Sequence, residues 1–298
     1  MIRYIKNMKN NISIIIPAKN ECDGLRSILP TLCKLYPEDE IIVVDDGSTD
    51  DTAKICQSFP VKVVTHNYSK GNGASIKSGA RVAAGDIFVF LDADGQHSPD
   101  EIPKLLDEIA KGYDMVVGAR NMNAHASLAR GFANMFYNCF ATWVSGHKVQ
   151  DLTSGFRAVR SDKFRQFLYL LPNGFSYPTT ITMALFRAGY SISYVPINVI
   201  DRIGKSHIRP VVDGLRFLLI IFRIGTLYSP LKFFAPASLL FFIVGVGYYA
   251  YTYLTLGRLT NMGTMLFIVA ILVFLIGLIS EQLTMILFSN SQDSRNKQ

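Results

Sequence analysis

From residue 11 to about residue 120, short runs of apolar, mostly β-branched residues alternate with longer stretches whose apolar positions recur at helical spacing. Residues 12–16, 40–44, 61–65, 87–91 and 114–117 predict strands. Residues 22–35, 50–58, 73–84 and 99–111 predict the helices between them. Such alternation implies an α/β fold, a mostly parallel sheet with helices on both faces. Ligands bind such sheets at the carboxyl ends of the strands. The chain's polar residues gather there: Asn20 and Glu21 after the first strand, Asp45 and Asp46 after the second, Asp92 and Asp94 after the fourth. Ser48 or Thr49 is placed to cap the second helix, and Ser98 with Pro99 and Glu101 the helix after Asp94.

Further on, residues 121–150 read as helical, with Arg130 and Asn134 one turn apart. Asp151-Leu152-Thr153-Ser154-Gly155-Phe156-Arg157 reads as a loop leading into a strand or helix, and residues 190–200 as a last strand. In residues 210–228 an apolar face (Val212, Leu215, Leu219, Phe222) runs beside a basic stripe. Arg209, Arg216 and Arg223 recur along that stripe every seven residues. A helix of this kind lies among lipid headgroups.

Residues 233–256 carry no charge, nor do residues 262–280, and the apolar pattern resumes after Glu281 as far as Phe288. Each segment is long enough to cross a hydrocarbon core. Buried core helices are shorter and keep a polar face. Only residues 257–261 join the two segments, so they predict a hairpin. Arg209, Arg216, Arg223 and Lys232 flank it on the α/β side, with Arg295 and Lys297 in the tail and only Arg258 in the turn. That bias places the α/β domain and both chain ends in the cytoplasm, as a multi-pass protein of the cell membrane. The expected organisation is a domain over 1–207, an interfacial helix over 208–231, the hairpin over 232–288 and a tail over 289–298.

Composition agrees. Hydrophobic residues make up 49% of the 298, and the mean hydropathy of +0.24 reflects the last quarter of the chain. The net charge of +7 is not interleaved with aromatics as in a nucleic-acid module, so no nucleic-acid partner is expected. A basic flank beside anionic lipid explains it better. Cys22, Cys33, Cys56 and Cys139 form no Cys-x-x-Cys pair and read as reduced thiols. The first 11 residues carry lysines but no long apolar run, so no secretory signal is expected.

The chemistry concentrates at Phe88-Val89-Phe90-Leu91-Asp92-Ala93-Asp94-Gly95-Gln96-His97. Two aspartates spaced i, i+2 at a strand end share one side. Their mutual repulsion would be relieved by a divalent cation, and hard oxygen donors with few protein contacts suit Mg2+ or Mn2+ shared with a diphosphate. A plain turn after a strand accounts for the same residues taken alone. His97, between the aspartates and a helix cap, reads as structural or as a support behind the metal-binding residues. Gly71-Asn72-Gly73-Ala74-Ser75-Ile76-Lys77-Ser78 has Ile76 where a phosphate-binding loop needs glycine, which excludes an ATPase.

The ordered set of motifs resembles the family 2 glycosyltransferases of GT-A fold, in particular the polyprenyl-phosphate glycosyltransferases. The resemblance rests on Ile16-Pro17-Ala18-Lys19-Asn20-Glu21, Val43-Val44-Asp45-Asp46-Gly47-Ser48-Thr49-Asp50, Asp92-Ala93-Asp94-Gly95-Gln96-His97, Val117-Gly118-Ala119-Arg120 and the Asp151 to Arg157 stretch. It implies that Pro17, Ala18, Glu21, Val44, Asp46, Asp92 and Ala93 hold the donor nucleotide, and that Asp92, Asp94 and Gln96 bind the metal. It implies that Arg120, Arg130 and Asn134 hold the acceptor phosphate. It also implies that Arg202 and Lys205 clamp phosphates, and that Asp94, Arg120 and Arg202 carry catalysis. The chain departs from the family at Lys19, where an aromatic is frequent, and at His207, where lysine is usual.

The implied reaction is metal-dependent, inverting transfer of a hexose from a UDP- or GDP-sugar to undecaprenyl or dolichyl phosphate. A lipid monophosphate, with a second pKa of about 6, needs no general base, whereas a sugar hydroxyl does. Bidentate guanidinium geometry suits the phosphate. Alternative readings are a glycosyltransferase acting on a glycan or protein hydroxyl, and a membrane scaffold that keeps a sugar-nucleotide fold without catalysis. A processive synthase is disfavoured because Trp143 lacks the Gln-x-x-Arg-Trp context.

Overall fold

A computed structural model describes residues 11–120, 128–174, 176–198, 222, 225–226, 228–258 and 260–293, without the side chains of 128–134, 256 and 287–293. The interfacial helix over 208–231, Arg202, Lys205 and the end of the tail therefore lie wholly or largely outside the described residues. The chain divides near residue 209 into two units.

The first unit is built on a seven-stranded sheet in the order β3-β2-β1-β4-β6-β5-β7. Its strands are β1 (Ile12–Ala18), β2 (Glu40–Asp45), β3 (Lys62–Thr65), β4 (Ile87–Phe90), β5 (Met115–Arg120), β6 (Arg157–Arg160) and β7 (Ile192–Ile197). All neighbours pair in parallel except β6, which runs antiparallel to both β4 and β5. The predicted strands are all present within a few residues. The stretch after Asp151, open between strand and helix, becomes the short β6.

The helices are α1 (Cys22–Leu35), α2 (Thr52–Cys56), α3 (Asn72–Val82), α4 (Ile102–Ala110), α5 (Leu128–Ser145), α6 (Ser161–Arg165) and α7 (Tyr177–Arg187). Strand alternation divides the core. Ile14, Ile16, Val43, Val89, Val116 and Ala158 pack with Leu25, Leu32, Leu105 and Ile109 on the α1/α4 side. Phe88 and Phe90 point the other way, onto Phe164 of α6 and Tyr177 of α7, with ring centroids 4.7–6.3 Å apart. Burying such apolar faces is the main term holding the sheet and helices together.

Helix starts depart from the reading in one place. Ser98 caps as expected, its Oγ accepting the Asp100 amide at 3.3 Å. Neither Ser48 nor Thr49 caps α2. Ser48 Oγ accepts the Asn20 amide at 3.0 Å, and the Thr49 amide donates to Asn20 Oδ1 at 2.8 Å. Fastening the β1–α1 loop to the β2–α2 loop takes precedence, and the Asp50 carboxylate accepts the Thr52 amide instead.

The second unit contains α8 (Pro230–Leu256) and α9 (Asn261–Asp293). Spans of 26 residues in each, Pro230–Thr255 and Asn261–Ile286, are long and apolar enough to cross a membrane. The helices pack closely on each other. Ser238 Oγ donates to Ala270 O at 2.8 Å, and a Cβ on Gly277 would lie 2.6 Å from Phe234 Cβ. Their outer faces stay uncovered, with Leu240, Ile243, Leu254 and Ile271 each more than half exposed. A soluble core helix would be buried on those faces, so the hairpin is built to meet lipid. Glu281 sits opposite the first turn of α8, its Oε2 3.4 Å from the Leu231 amide.

Candidate active site

The site lies at the carboxyl edge of β1, β2 and β4. Asp92 continues the alternation of Phe88 and Phe90 and therefore faces the α7 side. In the β4–β6 register Phe90 lies opposite Arg157. Carried two residues on, that register brings Gly155 to Asp92. A Cβ at Gly155 would come within 2.5 Å of Asp92 Oδ2, so the carboxylate rests directly on the glycine backbone. Asp94 Oδ1 accepts the Gln96 amide at 3.1 Å, closing the turn. From the other side α1 packs on this loop through Gly24, where a Cβ would lie 2.0 Å from Ala93 O.

Asp92, Asp94 and Gln96 are half-buried beyond the end of β4. Among the described residues no cluster of three or more His, Cys, Asp or Glu side chains could cage a metal. The donor set fits an oxygen-seeking Mg2+ or Mn2+ that takes most of its ligands from a diphosphate and water, and does not fit zinc.

Arg120, at the end of β5, reaches Asp151 in a two-pronged fork: Nε to Oδ2 at 2.8 Å and Nη2 to Oδ1 at 3.0 Å. Nη2 also donates to Thr153 Oγ1 at 2.6 Å. The same carboxylate accepts the amides of Thr153 and Ser154, each at 3.1 Å. Burial pushes the Asp151 carboxyl up, and the Arg120 hydrogen bonds and charge with the Thr153 amide outweigh it, holding it below the usual range. Asn138 of α5 braces the loop, donating to Gln150 O at 2.6 Å and accepting the Leu152 amide at 3.0 Å. Arg130 and Asn134 fall on the same helix, but their side chains are outside the described residues.

His97 is 5% exposed and stacks on Phe156 with centroids 5.1 Å apart. Burial pulls its pKa down to about 4, against the nearby charges of Asp94 and Asp151, so the ring is neutral at pH 7. Its Nδ1 is buried and has no hydrogen-bond partner among the described residues. A neutral ring stacked in the wall agrees with the structural role read from the sequence.

The donor-side residues separate by side-chain direction. Pro17 and Glu21 are half-buried at the edge. Val44 is 0% exposed, and Ala18 and Ala93 are 3% exposed, so only their backbone can meet a ligand. Asp46 departs most from its expected part. It is 3% exposed, and both its oxygens are already engaged. Oδ1 accepts His66 Nδ1 at 2.7 Å and the Lys70 amide at 2.8 Å; Oδ2 accepts Ser69 Oγ and the Gly71 amide, each at 2.8 Å. Burial raises the Asp46 carboxyl, but these donors bring it down to about 2. Asp46 thus fastens the 66–71 loop. Lys19 ties into the same loop, its Nζ donating to Ser69 Oγ at 2.9 Å.

Sequence reasoning missed Asn138 and the donors around Asp46. Their partners lie 12 to 25 residues away, where no local spacing reveals them.

Comparison with known proteins bears on this arrangement. Residues 13–168 match the family model Glycosyl transferase family 2, and residues 229–286 match the GtrB C-terminal hairpin. An undecaprenyl-phosphate 4-deoxy-4-formamido-L-arabinose transferase of Proteus mirabilis is 35% identical over 161 residues, 51% of this chain and 49% of the relative. The chain thus spans about half the length of that curated relative. An undecaprenyl-phosphate mannosyltransferase of Micrococcus luteus is 29% identical over 215 residues, 67% of this chain and 88% of the relative. Among solved structures, glucosyl-3-phosphoglycerate synthase of Mycobacterium tuberculosis, crystallised with Mn2+, UDP and phosphoglyceric acid, superposes with a TM-score of 0.59. It is 21% identical and covers 73% of this chain and 79% of its own, a likeness of fold alone. With the family model matching more than half of its residues, the chain belongs to glycosyl transferase family 2 and carries a hairpin of the GtrB type.

Proposed function

We propose that this protein transfers a hexose from a UDP- or GDP-sugar to a polyprenyl phosphate, undecaprenyl or dolichyl, at the cytoplasmic face of the membrane. One observation carries the reading. The Asp92 carboxylate lies against Gly155 and the Arg120 guanidinium is bound to Asp151 and Thr153, so both meet a single loop, residues 151–155, in a chain that also carries an apolar hairpin.

Asp92 and Asp94, with Gln96 beside them, would hold Mg2+ or Mn2+, and the bound ion would supply Lewis-acid stabilisation for the departing nucleoside diphosphate. Pro17, Ala18 and Glu21 border the nucleotide, beside the 66–71 loop that Asp46 fastens and Lys19 joins. Arg120 orients the acceptor phosphate with the part of its guanidinium outside the Asp151 fork, and Arg130 and Asn134 extend that contact. Arg202 and Lys205 supply further positive charge for the phosphates. The acceptor oxygen is already ionised at neutral pH, so no side chain has to remove a proton. A single in-line displacement inverts the anomeric centre and turns an α-linked donor into a β-linked lipid phosphate sugar.

The test is incubation of the full-length protein in detergent with a panel of UDP- and GDP-sugars, including pentose derivatives, and undecaprenyl or dolichyl phosphate. A product of the mass of a lipid phosphate sugar is expected with one donor. Transfer only to a sugar or protein hydroxyl would overturn the acceptor assignment.

A further inference from the structure

Arg157 takes no part in the reading above, although its guanidinium is completely buried, at 0% exposure. Among the described residues its hydrogen bonds go only to neutral acceptors. Nε and Nη2 both donate to Ser154 O, and Nη1 donates to Pro178 O at 3.0 Å and to Thr182 Oγ1 at 3.1 Å. Burying a cation without a counter-ion in contact is costly, and a core position rarely keeps one without need. Asp151 and Asp92 are the carboxylates whose charge acts on it.

Its place in the sheet shows what the charge can serve. Arg157 lies opposite Phe90 in the antiparallel pair, two residues short of Asp92. Its fork on Ser154 O fixes the peptide just before Gly155, the residue on which the Asp92 carboxylate rests. The Ser154 amide is held at its other end by Asp151. Pinned from both directions, the loop gives Asp92 a rigid floor and a positive charge beneath it.

We propose that Arg157 is a positioning residue for the donor-diphosphate site, its charge and its fork on Ser154 holding the Asp92 carboxylate over Gly155 in the orientation a nucleotide-bound divalent cation requires. The proposal rests on the assignment of Asp92 and Asp94 to the metal. Removing groups that support a metal ligand from behind typically costs about 10–100-fold in metal affinity.

The test compares the full-length wild type with Arg157→Met, Arg157→Lys and Gly155→Ala in detergent. Mn2+ binding is titrated by electron paramagnetic resonance with UDP and, in parallel, GDP. Metal-free nucleotide affinity is measured by calorimetry, and folding by thermal unfolding. Arg157→Met should lower Mn2+ affinity in the nucleotide complex by about tenfold or more, with metal-free nucleotide affinity changed less than about twofold. Arg157→Lys, which keeps the charge but not the fork, should fall between it and wild type. Gly155→Ala should reproduce the loss with Arg157 in place. Wild-type Mn2+ affinity in folded Arg157→Met overturns the proposal. Should that variant fail to fold, wild-type affinity in both Arg157→Lys and Gly155→Ala overturns it. Absence of nucleotide-dependent Mn2+ binding by the wild type overturns the metal assignment itself, and this inference with it.

Discussion

Asp151 Oδ2 lies 2.8 Å from Arg120 Nε, and the carboxylate that grips this guanidinium also organises the loop on which Asp92 rests. The side proposed for the acceptor and the side proposed for the donor thus share one structural element. Arg120→Ala should lower kcat/KM for the lipid phosphate about 100-fold, the scale of losing one charge-stabilising donor, while donor affinity changes less than about twofold. Steady-state kinetics with each substrate varied checks this, and the reverse split would reassign Arg120 to the donor.

Asp151→Asn removes the counter-ion of a guanidinium that is 30% exposed. A fully buried broken pair costs about 3–5 kcal/mol, and solvent at Arg120 reduces this to about 2 kcal/mol. Urea unfolding of the variant should show that loss, together with a fall in transfer.

Asp94→Ala should abolish metal-dependent transfer and leave the fold intact. The side chain is half-buried at the sheet edge, and its Oδ1 accepts the Gln96 amide across a local turn. Circular dichroism with the transfer assay separates the outcomes, and unchanged activity would remove Asp94 from the site.

Asp46→Asn tests the loop anchor and carries a pH signature. The native carboxyl titrates near 2 against an ordinary 3.8, so folding gains about 2 kcal/mol from its ionised form. Because the native value is depressed, that gain is complete above about pH 4 and fades as pH falls toward 2. The stability gap between wild type and variant should be about 2 kcal/mol at pH 7 and clearly smaller at pH 3, measured by denaturant unfolding at both.

The proposed cytoplasmic reaction predicts that the hairpin turn faces the opposite side of the membrane. Arg258→Cys should react with a membrane-impermeant maleimide added to intact cells, while Cys22, Cys33, Cys56 and Cys139 should not. Labelling only after lysis would invert the topology.

The central strands and the hairpin were legible because burial on both faces, or in lipid, demands continuous apolar runs. β6 was not, since its four residues begin and end in arginine and one of these is buried. α7 escaped for the opposite reason. Tyr177–Leu185 is buried all round, so no amphipathic stripe marks it, and its threonines and Ile181 favour strands. At the site, the Asp92/Asp94 pair announced itself because both residues lie on one strand end. The burden on Asp46 did not, because its donors come from a loop 20 to 25 residues downstream. Ser48 and Thr49 looked like caps by local rule and were claimed by a neighbour 28 or 29 residues away.

The reversed direction of β6 constrains how this protein can vary. A strand alternates its faces with period two, so adding or deleting one residue between Gly155 and Arg160 would exchange the faces of the whole segment. Shifted so that Ala158 occupied the pocket of Arg157, the strand would press Phe156 on Asp92. The spacing from the Gly155 floor of Asp92 to the buried arginine is therefore fixed by the register of the sheet.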